Sequence, residues 1–462
     1  MVFMKRLSLR GTAALLLALA AATAAAGDVR VDALRACAAA KGYEVADVVA
    51  TAGCYRVDYV LRPTTQSFIR CQLALPADKA WSGRLWGYGN GGGAGHVRVN
   101  VGMARLGDVA VHTDMGTSHG VHGKPEVVRD FGWRATHLMT VSAKDLATAF
   151  FGRGPSKCYF MGGSTGGGQG FHEALRFPED YDGIIAYVPA NTRLPLHVYF
   201  AWNLRLMKDA DGRDVFTSAE LAAVEQAALD VFADRDVPAF RGKFLSDTRY
   251  DAKTEREILD RAKAKAPSLD TPDKVARLHG MFTGPVLDGK PVHAGVPFSA
   301  SFRGAAGNQW MLQWFLGPGR PLHTVTDAEL ARWMKEWGPD CDACGPGFAK
   351  FAARGGKMLV IGGLEDSIVP YPSMIDWYER AAVECGGRAN LEQACRLYLL
   401  PGRAHGQGRG CGSISGDCAL LVNWVEKGVA PAEVRSPLRG GGELTVKPYP
   451  RNWNENREEP RK

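Results

Sequence analysis

Beyond its N-terminal segment the chain has no apolar run long enough to span a bilayer, so no transmembrane helix is expected in the mature protein. It has no block of Lys and Arg interleaved with aromatics. Its formal net charge of +7 falls to about +4 once Lys5, Arg6 and Arg10 are set aside, so no nucleic-acid partner is expected. No internal repeat or low-complexity tract follows the N-terminus, which leaves no sign of a repeat array. The glycine-rich stretches lack the Lys-Ser/Thr pair of a phosphate loop, and no suitably placed acid follows them to hold a dinucleotide ribose. Cys341 and Cys344 have no second cysteine pair or well-placed histidine nearby. His112, Asp114, His119 and His122 match no helical ligand spacing. No metal is therefore expected at either group; Asp114 and His119 are expected to brace a loop.

What remains is ordinary globular composition: 462 residues, 46% hydrophobic and 23% charged. Residues 1–26 read as a secretory signal, with Lys5, Arg6 and Arg10 ahead of the apolar run Ala13 to Ala22 and a small-residue site at Ala24-Ala25-Ala26. A secreted or periplasmic location follows. The ten cysteines agree with an oxidising compartment. Cys385 with Cys395 and Cys411 with Cys418 are the expected local disulfides, and one bridge is expected among Cys37, Cys54 and Cys71.

Strand-like and helix-like patterns alternate from Arg84 to Pro189 and resume from Lys357, which implies a mostly parallel sheet with helices on both faces. Between about Asn191 and Gly345 the pattern is amphipathic helices and turns with few strand signals. The expected architecture is an α/β-hydrolase fold: core residues 27–192 and 346–462, interrupted by a mainly helical lid at 193–345.

Gly162-Gly163-Ser164-Thr165-Gly166 fits the G-x-S-x-G nucleophile elbow, between the apolar strand Cys158 to Met161 and a helix. A serine hydroxyl is a weak nucleophile and needs a base held by a third group. In this fold the chain order is Ser, acid, His. Asp366 follows the strand starting at Lys357. His405 follows the strand Arg396 to Leu400 and is the only histidine after Asp366. The expected catalytic set is Ser164, Asp366 and His405, with an oxyanion hole from the N–H groups of Thr165 and of Gly92, in the run Gly89 to Gly95. Trp202, Trp310 and Trp314 are the candidates for an aromatic acyl pocket.

These residues resemble the tannase/feruloyl esterase family, which also contains bacterial mono-(hydroxyethyl) terephthalate hydrolases. The resemblance covers most of the mature chain. It rests on Tyr159 to Gly167 around the serine, on Tyr181 to Ala186 with Pro189-Ala190, on Gly363 to Pro370, on Pro401 to His405, and on Trp424 to Pro431. It implies hydrolysis of small aromatic-acid esters such as feruloyl, galloyl or terephthaloyl esters, under a lid. Departures are visible. The family's cysteines beside the serine and the histidine, which form a disulfide, are Gly163 and Gly406 here, and an arginine frequent after the elbow is Gly168. The family's calcium loop would fall at Asp230 to Asp251, where Asp234, Asp236, Asp247 and Asp251 lack the repeated Asp-Gly steps; no other cofactor is expected. Two further readings fit the same residues: acyl transfer to an alcohol, and a non-catalytic binding protein on a hydrolase scaffold. The intact Ser, Asp, His order speaks against the second.

Overall fold

The computed structural model describes residues 29–77, 80–232, 250–298, 300–406 and 408–450. The expected signal segment, and Asp234, Asp236 and Asp247 of the expected calcium loop, lie outside them. A helix over 29–41 leads into β1 (Glu44–Thr51), β2 (Cys54–Leu61), β3 (Ile69–Pro76), β4 (Arg84–Tyr88), β5 (Val109–Thr113), β6 (Lys157–Gly163) and β7 (Gly183–Tyr187). The short β8 (Val286–Leu287) and β9 (Lys290–Pro291) pair only with each other. Then come β10 (Lys357–Gly363), β11 (Cys395–Leu400) and a terminal hairpin of β12 (Val434–Pro437) and β13 (Glu443–Val446).

Nine strands form one sheet in the order β1-β2-β3-β5-β4-β6-β7-β10-β11. The β1-β2, β2-β3 and β3-β5 pairings are antiparallel; from β5 to β11 every pairing is parallel. This is the α/β-hydrolase arrangement. Parallel strands are covered on both faces and read as continuous apolar runs, and β10 alternates between two cores. Met358 and Val360 pack into the larger core with Phe160 and Phe171, while Leu359 and Ile361 pack with Tyr159, Leu421 and Trp424 under the helix Asp417–Lys427. Each such buried side chain contributes roughly 1.5–3 kcal/mol.

Between β7 and β10 the described chain adds no strand to this sheet. It is built mainly from helices, including Arg193–Met207, Ser218–Phe232, Ala252–Lys265, Pro272–Thr283 and Asp327–Cys341. Asp251 caps the third through Lys253 N and Thr254 N, and Asp230 pairs with Lys265. Both acids therefore serve the helices. Among the described residues no helix is long and apolar enough to cross a membrane.

The cysteines correct the expectation of disulfides, since all ten are free thiols. For Cys54 and Cys71 the reason is register. Cys54 pairs with Pro76 and Cys71 with Tyr59, and the two sulfurs belong to different cores.

Candidate active site

The C-terminal ends of β6, β10 and β11 carry the candidate residues. Ser164 ends β6 with φ 57° and ψ −117°, a conformation disfavoured by about 1–3 kcal/mol for a residue with a Cβ. The surroundings hold it there. Its N–H donates to Tyr187 O at 2.9 Å, and its carbonyl accepts from Gly168 N and Ala190 N at 3.1 and 3.0 Å. The turn also needs glycine: a Cβ on Gly162 would lie 2.4 Å from the Gly166 carbonyl, and one on Gly167 would lie 2.7 Å from Pro189 Cα. The Ser164 hydroxyl caps nothing and, among the described residues, makes no hydrogen bond.

Asp366 is fully buried beyond the end of β10. Its Oδ1 accepts from Ile368 N and Val369 N at 2.8 and 2.9 Å, and its Oδ2 lies 2.8 Å from His405 Nδ1. Those two N–H bonds hold the carboxyl group in place, and its Oδ2 fixes the imidazole with Nδ1 towards Asp366, leaving Nε2 on the far side of the ring. The loop that bears His405 is packed tightly on the acid's loop. Glu365 N donates to Arg403 O at 3.0 Å, and a Cβ on Gly363 would meet that same oxygen at 2.4 Å. Arg403 also lies over the ring of Tyr187, whose Cβ is the nearest neighbour of a Cβ placed on Gly163. A Cβ at Gly163 or Gly406 would meet nothing within 3.4 Å, so neither glycine is demanded by packing.

The glycine run after β4 lies against the elbow. Gly166 N donates to Asn90 O at 2.7 Å, and Thr165 Oγ1 donates to Gly92 O at 2.7 Å. Thr165 is the first residue of the helix Thr165–Arg176, so its N–H has no intrahelical partner, and its side chain reaches the loop that carries Gly92. Asp114 braces the same loop as expected: it is fully buried, accepts from Arg70 N and Nε at 3.0 and 2.8 Å, and Arg70 reaches on to Gly95 O. His119 instead stacks edge-on to Phe68. Burial pushes His112 down to about 4, and its neutral Nδ1 accepts from Arg98 N.

Of the three tryptophans, Trp310 and Trp314 stand at the glycine loop: a Cβ on Gly93 would lie 3.0 Å from Trp314 and 3.3 Å from Trp310. Phe131 closes the wall, with ring centroids 5.3 and 5.0 Å from theirs. Trp314 also lines an open cleft of about 520 Å³ with His122, Lys124 and Arg320. Trp202 does other work, donating to Gly280 O and tying two helices together. Phe131, Arg193 and His197 also belong to this wall and were not read from the sequence. Arg193 and His197 follow the end of β7 closely, where parallel-sheet proteins build their sites, and that placement was the available signal.

The ligand atoms of His137, Glu173 and Asp180 lie within 4.8 Å of one another, the one such group among the described residues. Asp180 is already held by His137 and Lys144, and burial together with Asp180 pushes the Glu173 carboxyl well up, so the cluster is balanced by a proton.

Residues 56–239 and 320–443 match the family model described as tannase and feruloyl esterase. A probable feruloyl esterase B-1 of Aspergillus fumigatus is 29% identical over 428 residues, covering 79% of this chain and 78% of that protein. A mono(2-hydroxyethyl) terephthalate hydrolase of Piscinibacter sakaiensis is 26% identical over 456 residues, covering 79% and 74%. Among solved structures, feruloyl esterase B from Aspergillus oryzae superposes with a TM-score of 0.72 at 23% identity, over 89% of this chain and 93% of that one.

Proposed function

The chain belongs to the tannase and feruloyl esterase family and is a carboxylic ester hydrolase, and from that premise we propose that it is exported and cleaves esters of aromatic acids through Ser164, His405 and Asp366. The observation that carries this reading is a shared sheet edge: parallel β6 leads into a serine held at positive φ at the head of a helix, and β10 and β11 lead into the buried Asp366 and the His405 bonded to it.

Ser164 Oγ attacks the ester carbonyl carbon while His405 Nε2 takes its proton. Asp366 keeps the imidazole in the useful tautomer and stabilises the imidazolium. The oxygen that becomes negative is met by the N–H groups of Thr165 and Gly92. His405 returns the proton to the departing alcohol, leaving Ser164 acylated. Water then attacks by the same route and releases the acid. Every step uses side chains, backbone and water alone.

The aromatic wall of Phe131, Trp310 and Trp314 supports an aromatic acyl group, since offset and edge-on ring contacts add about 0.5–1.5 kcal/mol beyond burial. The helical segment between β7 and β10, which supplies two of those rings, is the element that selects the acid. Export is supported by the basic and apolar N-terminal segment. Hydrolysis rates on p-nitrophenyl butyrate, a ferulate, a gallate and a terephthalate half-ester test the reading. Higher kcat/KM on at least one aromatic-acid ester is expected; preference for the butyrate over all three would refute it.

A further inference from the structure

Arg193 is the first residue of the helix Arg193–Met207 and is only 5% exposed. Among the described residues no carboxylate pairs with its guanidinium; Asp342, the acid that acts on it, turns its Oδ1 to Leu194 N at 2.7 Å. Aromatic faces take the place of a counter-ion, with Phe131 and Trp310 centroids 5.6 and 5.5 Å from the guanidinium carbon. Its one hydrogen bond runs from Nη2 to Thr165 Oγ1 at 3.0 Å. That hydroxyl in turn donates to Gly92 O at 2.7 Å.

We infer that Arg193 is the positioning residue of the oxyanion hole, setting Thr165 and Gly92 relative to each other through the Thr165 hydroxyl and presenting a buried positive charge behind both. The inference rests on the reading of Thr165 and Gly92 given above. One hydroxyl links the two residues whose N–H groups are to meet the oxyanion. The guanidinium orients that hydroxyl: it can only donate, so Thr165 Oγ1 must accept from Arg193 and spend its own proton on Gly92 O. The link is thus directional and holds a loop glycine at φ 53° against the helix N-terminus. A cation kept in a recess of low polarity, with no carboxylate hydrogen-bonded to its guanidinium among the described residues, also favours negative charge developing nearby more strongly than it would in water. His197, one turn along, stays neutral because burial and Arg193 hold it well below its usual range, so it adds no second positive charge beside Arg193.

The test is a double-mutant cycle on p-nitrophenyl benzoate, an uncharged ester, with Arg193→Met, Thr165→Val and the pair, plus Arg193→Lys. Removing a direct oxyanion donor costs about 10²–10³ in kcat, so an indirect support is expected to cost about tenfold or more. Arg193→Met and Thr165→Val should each lower kcat with KM within about threefold of the parent, and the double variant should be no slower than Arg193→Met alone, because both cut one linkage. Arg193→Lys, which keeps a charge and a donor, should recover part of the loss. Unchanged kcat, a loss confined to KM, or losses that multiply would each overturn the inference. If Arg193→Met fails to fold, Thr165→Val decides, with lowered kcat in support and unchanged kcat against. Ser164→Ala in the same assay separates the two levels, since activity surviving there refutes Ser164 as the nucleophile and, with it, the reading of Thr165 and Gly92 on which the inference rests.

Discussion

Asp366 Oδ2 stands 2.8 Å from Nδ1 of His405, a residue 39 positions further along the chain. The acid is fully buried, while the histidine keeps about a quarter of its side chain exposed. An anchored carboxylate and a reachable imidazole are the combination that general-base chemistry requires. The other oxygen of Asp366 is committed to two backbone N–H groups, so the carboxylate cannot turn away from the ring.

Asp366→Asn should leave the backbone contacts at Oδ1 in place and set an amide N–H against His405 Nδ1, forcing the opposite tautomer. A kcat lower by about 10³–10⁴ with an unchanged far-ultraviolet circular dichroism spectrum is expected. A loss under tenfold would show that Asp366 does not orient the base.

Gly162→Ala and Gly406→Ala make a matched pair. The first puts a Cβ 2.4 Å from the Gly166 backbone, which has no room to move; the second meets nothing within 4 Å. Overpacking against backbone costs about 1–3 kcal/mol or more, whereas an unhindered surface change stays within about 0.5 kcal/mol. Thermal denaturation should show a large drop for Gly162→Ala and almost none for Gly406→Ala; equal drops would contradict the packing described at the elbow.

Stability should fall as the solution is acidified below the ordinary histidine range. Burial pushes His112 and His293 down to about 4 and His172 to about 3, and holds His197 well below its usual value. Each stays neutral in the fold while the unfolded chain takes up its proton near pH 6.5, so the contribution is whole above that pH and is lost progressively as pH falls from there through the folded values. Each group adds a slope of up to about 1.4 kcal/mol per pH unit. Glu173 and Asp342, whose carboxyls burial pushes up, act in the opposite sense over the same range, so the rings are read by difference: His197→Phe should flatten the fall in urea midpoint between pH 7 and pH 5, and a slope equal to the parent's would mean that this ring is not buried as described.

The parts of the fold that were legible in the sequence were those where one pattern dominated. β6, β7 and β10 are buried on both faces and appear as short apolar runs ending in glycine or turn residues. The helix after the serine was harder, because Gly166, Gly167, Gly168 and Gly170 are poor helix formers; it starts at Thr165, well before the apolar stretch at Phe171 that signals it. β1 is exposed over much of its length and has no clean alternation, so the antiparallel edge of the sheet went unread. The contact between Asp366 and His405 was approachable from the strands they follow and the order of acid before histidine. The role of Arg193 was not, because it depends on Thr165 and Phe131, neither of which is near Arg193 in sequence. For Cys54 and Cys71 the disulfide expectation failed through register, which cysteine spacing does not report.

The most direct measurement of the central claim is labelling by a fluorophosphonate, followed by peptide mass mapping. The parent protein should take up one phosphonate per chain on Ser164, lose its esterase activity in step, and label far more slowly as His405→Ala. Labelling at another residue, with full ester hydrolysis retained by Ser164→Ala, would contradict the account.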